Sequence, residues 1–476
     1  MFTLFADVPS RTSPALPTES KPSFLSRWRL GAARFAIGAS ALGLFAPAAV
    51  HAQAQSEPQA QEPSPNPLPA PAPAPSPFSF SGFGTLGAVH QSGGQDWRFV
   101  RNITQLGPSS RLSASPDSRL GAQLNWDGGP QWEAGVQGVV LSRPRGTPAE
   151  ELIQWGYVGY RPTSSTRIRV GRTNPDVFLF ADSRNVGYAL PWARPPADFY
   201  AFFPLASIDG VDLEQQWFSG GATWRARATA GNVRTSATEV NGERLALRGR
   251  DTMALGLSRE DGGLLLKASI LRSQVRLHSP VGVAQLRDGL DQLGSLPIPG
   301  LAQSLAPLDQ NLWTGGATTY LSLATQYETG PWTFIAEGSR LRVPGSPLNA
   351  RRGYVSVGWR RGAVTYYGLA SRVKPDDAAA SAPELASSLA PVIGPAAAQQ
   401  AQMLAGYAAA AGDNYRFDQS TVSAGLRWDF LPNAALKLQV DRFNVRQHGG
   451  AGWRFYDGSA GKGTLVSVLV DFVWGQ

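Results

Sequence analysis

From Phe78 to the C-terminus, apolar residues recur at every second position in short runs separated by Gly-, Pro- and Asn-containing stretches. A period of two is that of a β-strand, whose successive side chains point to opposite faces. In SRLGAQLNW, Leu120, Ala122, Leu124 and Trp126 share one face, while Arg119, Gly121, Gln123 and Asn125 share the other. TVSAGLRW repeats this with Val422, Ala424, Leu426 and Trp428 against Thr421, Ser423, Gly425 and Arg427. Sixteen strands are predicted, at about 78–90, 118–126, 131–142, 151–160, 166–173, 209–217, 221–231, 250–259, 263–277, 317–328, 332–343, 351–361, 363–373, 419–430, 434–446 and 462–474.

Beyond the N-terminal region, the chain has no run of 18 or more apolar residues, so a membrane-spanning form must be a closed sheet whose backbone groups all pair internally. Apolar faces turned outward and polar faces turned inward fit such a sheet. Trp126, Trp132, Trp217, Trp332, Trp428 and Trp474 fall near strand ends, where an amphipathic ring suits a membrane interface. Tight connections such as DGGP, EDGG, TGP and LPN alternate with long loops. The expected fold is all-β: a 16-stranded antiparallel transmembrane β-barrel. A soluble secreted β-protein is the competing architecture, and the outward apolar faces argue against it.

The N-terminal region reads differently. Arg27, Arg29 and Arg34 precede the apolar stretch FAIGASALGLFAPAAV, which ends at Val50-His51-Ala52 with small residues around a cleavage position. Residues 1–52 are therefore expected to be a signal peptide with an N-terminal extension, and 53–77 a Pro-rich linker of extended polyproline II character. The barrel occupies 78–476.

Composition agrees with strands: 16% charged residues, 52 Gly, 14 Trp, 12 Tyr and 21 Phe. Cysteine is absent, which excludes disulfides, thiolate metal sites and Cys nucleophiles. Net charge is +8, but the arginines are scattered through alternating segments with no nucleic-acid-binding motif, so no nucleic-acid partner is expected. Alternation turns Arg119, Arg167, Arg169, Arg225, Arg227, Lys267, Arg360, Arg427 and Lys437 inward, against Glu133, Glu214, Glu337 and Asp441. Guanidinium groups stay charged and bind carboxylate or phosphate bidentately, so an interior lined this way is expected to prefer anions weakly. The competing reading is that these groups pair with one another or merely solvate a wide lumen.

The signal peptide, sixteen-strand pattern and turn–loop alternation together resemble the general Gram-negative porin family, over about residues 78–476. That resemblance implies a homotrimeric outer-membrane channel for passive diffusion of small hydrophilic or anionic solutes. It further implies no cofactor, no metal, no catalysis, lipid around the barrel, short turns in the periplasm and the N-terminal arm there too. It also implies that the loop after strand 5, residues 174–208, folds inward as a constriction carrying Asp176, Asp182, Arg184, Arg194 and Asp198. The PEFGG-like motif of enterobacterial members is missing. The last strand, TLVSVLVDFVWGQ, resembles the family's C-terminal insertion signal, except that Gly475 and Gln476 follow Trp474.

Phe178, Phe180, Tyr188, Trp192, Phe199, Tyr200, Phe202 and Phe203 concentrate in that loop; they suit packing, with a sugar-stacking slide as the functional alternative. His90-Gln91-Ser92 resembles the His-x-Ser pair of outer-membrane barrel phospholipases, with Asn102 nearby, and supplies the enzymatic alternative. The remaining histidines, His51, His278 and His448, have no metal-ligand spacing. The long loops 279–311 and 376–413 read as partly helical.

Overall fold

A computed structural model describes residues 76–475 except 95–96, 203–206, 239–243, 279–280, 414, 447–448 and 455–457. The expected signal peptide and most of the Pro-rich linker lie outside the described residues.

Among the described residues, sixteen long strands form one antiparallel sheet. They are β1 (Phe78–Gly93), β2 (Arg119–Asp127), β3 (Trp132–Leu141), β4 (Ile153–Thr163), β5 (Thr166–Thr173), β6 (Ile208–Ser219), β7 (Ala222–Thr238) and β8 (Arg244–Asp261). The other eight are β9 (Leu264–Leu277), β10 (Gly315–Thr329), β11 (Trp332–Arg342), β12 (Ala350–Arg361), β13 (Val364–Pro375), β14 (Gln419–Leu431), β15 (Ala434–Val445) and β16 (Gly461–Trp474). Each pairs with the next, and β1 pairs with β16 from Gly82↔Trp474 to Gly93↔Gly463, which closes the barrel. Closure leaves no unpaired edge.

All sixteen expected strands are present, most within two or three residues of their predicted bounds. The exception is the hairpin of β7 and β8, which runs on to Thr238 and back from Arg244, where the sequence suggested ends near 231 and 250. A register shift between Gly249 and Thr252 interrupts this hairpin, and Asp251 sits there at φ 49°.

One end of the barrel carries tight hairpins. Gly220-Gly221 and Gly262-Gly263 join their strands with both glycines at positive φ, the conformation that matches the twist of paired strands and that side chains rarely tolerate. The other end carries the long connections. Here α2 (Val281–Gly294) and α3 (Leu301–Asn311), which follow β9, pack with α4 (Ala386–Ile393) and α5 (Pro395–Asp413), which follow β13. Leucines of the first pair and alanines of α5 form their common core. The short α1 (Ala197–Tyr200) lies between β5 and β6.

The outward face is apolar around the middle of the wall: Leu86 is 65% exposed and Leu323 69%. Rows of leucine and valine facing outward cannot be reconciled with water, whereas they match hydrocarbon. At the short-turn end the outward positions become aromatic, with Trp217 beside Trp224 (ring centroids 6.1 Å) and Trp332 beside Trp359 (6.3 Å). The fold is a membrane-spanning barrel. No described helix is long and apolar enough to cross a membrane.

Candidate functional site: the barrel interior

Alternation sends every second side chain inward, and the inward wall is met by the segment joining β5 to β6. Its contacts run round much of the barrel. Lys267 Nζ of β9 donates to Asp176 (2.5 Å) and to the Phe178 carbonyl (2.6 Å). Ser322 of β10 donates to the Val177 carbonyl (2.8 Å), and the Leu179 N–H donates to Glu337 of β11 (3.0 Å). The Trp192 indole donates to Ser356 of β12 (2.8 Å), and Lys437 of β15 donates to the Gly187 and Leu190 carbonyls (both 2.7 Å). Asp198 accepts from Ser371 of β13 (2.8 Å) and from Gln419 (2.5 Å) and Thr421 (3.0 Å) of β14.

Between these polar ties lies an apolar cluster. Val177, Phe178, Trp192, Phe199 and Tyr200 of the segment are buried against inward wall residues that include Val233, Leu271, Tyr320, Ile335, Tyr354 and Leu369. Phe178 meets Tyr320 edge-on at 5.5 Å, and Trp192 meets Tyr354 at 5.5 Å. Phe180 and Phe202 are partly buried at the edge of this cluster, and Tyr188 donates to the Pro432 carbonyl (2.7 Å). The aromatics thus offset the ordering cost of a long connection by burial. Phe203 lies outside the described residues.

The inward cations divide into two groups. Arg119, Arg169, Arg227, Lys267 and Lys437 are buried, as are Glu133 and Glu337. Arg169 Nε and Arg227 Nε converge on one carboxylate, Asp212, at 2.8 and 2.7 Å. Lys437 pairs with Asp471 (2.9 Å), which also accepts from Thr85 (2.5 Å). Arg194 of the segment binds Asp117 and Asp441, each at 2.7 Å, and Ser467 at 2.5 Å. Arg119 donates to the Asn185 and Asp117 carbonyls, and Arg101 donates to the Arg184 carbonyl. Asp182 is exposed, accepting from Asn174 and Arg227.

Partly exposed cations are found at the short-turn end. Arg167 lies 3.4 Å from Glu133 and 4.0 Å from Glu214, and Arg225 lies 3.3 Å from Asp176 and 3.8 Å from Glu214. Arg161, absent from the sequence-based set, pairs with Glu133. Arg427 donates to Asp429 and to the Tyr188 carbonyl, and Arg360 is exposed. The protein's own carboxylates and carbonyls thus take up most of the deeper cations, whereas Arg352 is buried over the Phe202 ring. Of the partners that the sequence reading passed over, Asp212 and Asp471 were detectable, because each lies at an inward position of an already predicted strand. Asp117 lies in the loop between β1 and β2 and gave no periodic signal.

His90 and Ser92 are exposed on the outward face of β1, and Ser92 Oγ donates weakly to the Thr464 carbonyl (3.4 Å). Asn102 donates to the carbonyl of Tyr200, a residue of the interior segment (3.3 Å). Among the described residues, no three His, Cys, Asp or Glu side chains are grouped to hold a metal ion.

At the long-loop end the inward wall changes character. Val233, Ala237, Leu245, Leu271 and Val275, with Trp313 above them, line a cavity of about 150 Å³. Among the described residues, two of its polar atoms, Trp313 Nε1 and Thr238 Oγ1, have no hydrogen-bond partner.

No protein-family model matches the chain, and no curated protein matches it. Solved structures of distant sequence are similar to it. Salmonella typhi OmpF in complex with daunomycin is 11% identical (TM-score 0.44; 83% of this chain, 97% of that one). The anion-selective porin from Comamonas acidovorans is also 11% identical (TM-score 0.44; 83% and 99%). OmpT, an outer membrane protein of Vibrio cholerae, is 10% identical (TM-score 0.43; 84% and 99%). Likenesses this remote carry no residue role to the present chain.

Proposed function

We propose that the protein is a porin-like channel of a Gram-negative outer membrane, passing small hydrophilic solutes by diffusion and performing no catalysis. The observation that carries this reading is a closed sixteen-strand wall, apolar outside, whose inner face is ionic and contacted by one long segment after β5. That segment, residues 174–207, is the constriction. Barrels of this kind place short turns in the periplasm, so the long loops and helices face outward and the N-terminal arm is periplasmic. A homotrimer is the assembly we assign to it.

Weak anion preference then rests on Arg161, Arg167, Arg225 and Arg360, the inward arginines that keep solvent contact, with Glu133 and Glu214 opposing them. Planar-bilayer conductance tests both parts. Stepwise currents with a reversal potential of anion sign under a salt gradient are expected. A cation-selective potential would refute the preference, and the absence of conductance would refute the channel.

A second reading of the solute follows from the apolar mouth cavity. A largely apolar cavity of about 150 Å³ has room for a benzene-sized ring, and Trp313 Nε1 or Thr238 Oγ1 could donate to an oxygen carried on it. The favoured solute would then carry one aromatic ring. Reversible block of the current by phenol, removed in Thr238→Val with Trp313→Phe, is the expected result; equal block in both proteins excludes it.

A further inference from the structure

Three arginines stand side by side on the outside of the barrel. Strand register places Arg234 of β7 opposite Arg248 of β8, and Arg248 opposite Arg276 of β9. All three are exposed. Arg250 is the next outward position on β8, opposite Gln274, and Arg272 lies one step further along β9, opposite Met253. Among the described residues, none of these five guanidinium groups forms an ion pair or a side-chain hydrogen bond. Asp251, in the bulge beside them, is unpaired as well.

Like charges directly opposite across a sheet repel one another, so a row of three requires a counter-charge from elsewhere. The surface adjoining them says what kind. Toward the short-turn end, the same outward face becomes Met253, Leu255 and Leu257 on β8, Leu266 on β9, and Leu321 and Leu323 on β10, all exposed. A shallow external groove of about 640 Å³ runs here between leucine ridges, floored by Ala268 and Gly338 and edged by Arg340. Cations above and a grooved apolar surface below match a molecule with an anionic head and hydrocarbon tails.

We propose that Arg234, Arg248 and Arg276 form a binding site for a membrane lipid whose headgroup carries phosphate, its acyl chains lying in the groove between β8 and β11. A guanidinium fork takes two phosphate oxygens in parallel hydrogen bonds. Neighbouring strands lie about 4.8 Å apart, so one phosphate bridges two adjacent arginines. A headgroup with two phosphates spans all three, roughly 10 Å from Arg234 to Arg276. The site rests on the membrane reading of the outer wall and not on conduction, so a protein that binds this lipid yet passes no current would refute only the channel.

The test uses the full mature chain, refolded in a neutral detergent, with lipid A as the probe, its dephosphorylated form and inorganic phosphate as comparisons, and Arg361→Gln at the short-turn end as the control variant. Expected are a rise of several degrees in the barrel's unfolding temperature with lipid A, weakened by salt, and little rise with either comparison probe. R234Q/R248Q/R276Q should lose at least tenfold in lipid A affinity while Arg361→Gln does not. Equal stabilisation by the dephosphorylated lipid, or by inorganic phosphate alone, would overturn the assignment, as would wild-type affinity in the triple variant. If the triple variant does not fold, R248Q and R248K replace it: the central arginine serves both neighbours, so R248Q is expected to weaken binding strongly and R248K partially, and unchanged affinity in both overturns the site.

Discussion

Two arginines of β7, one on each face of the wall, live under opposite conditions. Inside, Arg227 is 2% exposed and held by Asp212, Asp182 and the Asn174 carbonyl. Outside and seven residues on, Arg234 is exposed and faces another arginine. At Arg169, Arg194, Arg227 and Lys437, where the protein excludes water, it supplies the counter-charge itself, because a buried unpaired cation is costly; Arg352 is buried over the Phe202 ring instead. On the outer face Arg340 and Arg351 share Asp376 and Arg372 pairs with Asp418, but among the described residues the row of Arg234, Arg248 and Arg276 is given none. The chain's net charge of +8 is thus a property of its surfaces and loops more than of its deep interior, and total charge is a poor guide to what a channel selects.

The comparison breaks most decisively at Asp212. Replacing it with Asn leaves Arg169 and Arg227 facing an amide, and breaking a buried pair of this kind costs about 3–5 kcal/mol. A large drop in unfolding temperature is expected, read as the heat at which the barrel loses its compact electrophoretic mobility. R234Q, made outside on the same strand, should change that temperature little in neutral detergent. Equal effects from the two substitutions would show that inner and outer arginines do not differ as argued.

The interior segment gives a pH-dependent form of the same contrast. Burial pushes the Asp198 carboxyl up to about 6, against the opposing pull of three hydrogen-bond donors and Arg372. The folded state therefore holds this proton more tightly than the unfolded chain, whose carboxyl titrates near 4. Stability from this group is fully present below about pH 4 and is lost as pH rises through about 6. Asp198→Asn, a permanent neutral mimic, should flatten the wild-type decline in unfolding temperature between those values and raise stability at pH 7. A profile unchanged by the substitution would mean that Asp198 does not titrate there. Substituting Arg234, Arg248 and Arg276, which have no carboxylate partner among the described residues, should leave this window untouched.

Selectivity separates the faces by a smaller amount. Arg167→Gln with Arg225→Gln removes two partly exposed inward charges and should move the reversal potential several millivolts toward cation preference. R234Q/R248Q/R276Q, three charges on the outer wall, should leave it unchanged. A larger shift from the outer set would place the selective field outside the lumen.

How much of this was legible depends on what each feature needs. The strands and their faces follow from a period of two, so Leu120 outward and Arg119 inward could be read directly from the chain. The long ends of β7 and β8 could not. Their outward positions are Asn232, Arg234 and Arg248 instead of leucine or valine, and without apolar alternation a strand resembles a loop. The misread stretch is therefore the one that holds the proposed lipid site. Ion pairs were lost for a different reason: closure pairs Thr85 with Asp471 across 386 residues, a separation on which local pattern is silent. The helices of the second long loop were foreshadowed by its alanine-rich composition, but their packing against those of the first needs a fold that brings the ends of β9 and β13 to the same side.

The smallest effect belongs to the opposite rim, which supplies its own contacts. Trp217 and Trp224 lie opposite each other at the short-turn end with rings almost parallel, 7° apart in plane. An aromatic pair adds about 0.5–1.5 kcal/mol beyond burial, and each ring retains other neighbours and its place at the interface. Trp217→Ala should thus lower the unfolding temperature modestly, far less than Asp212→Asn, and a double-mutant cycle with Trp224→Ala should return a coupling of about 1 kcal/mol. The decisive point is its lipid dependence. Rings that satisfy one another need no phosphate, so the Trp217 deficit should be the same with lipid A or with its dephosphorylated form, whereas the deficit at Arg248 should appear only with the phosphorylated lipid. If the tryptophan pair proved equally phosphate-dependent, the two rims would not differ in kind, and the arginine row would lose its claim to a specific headgroup.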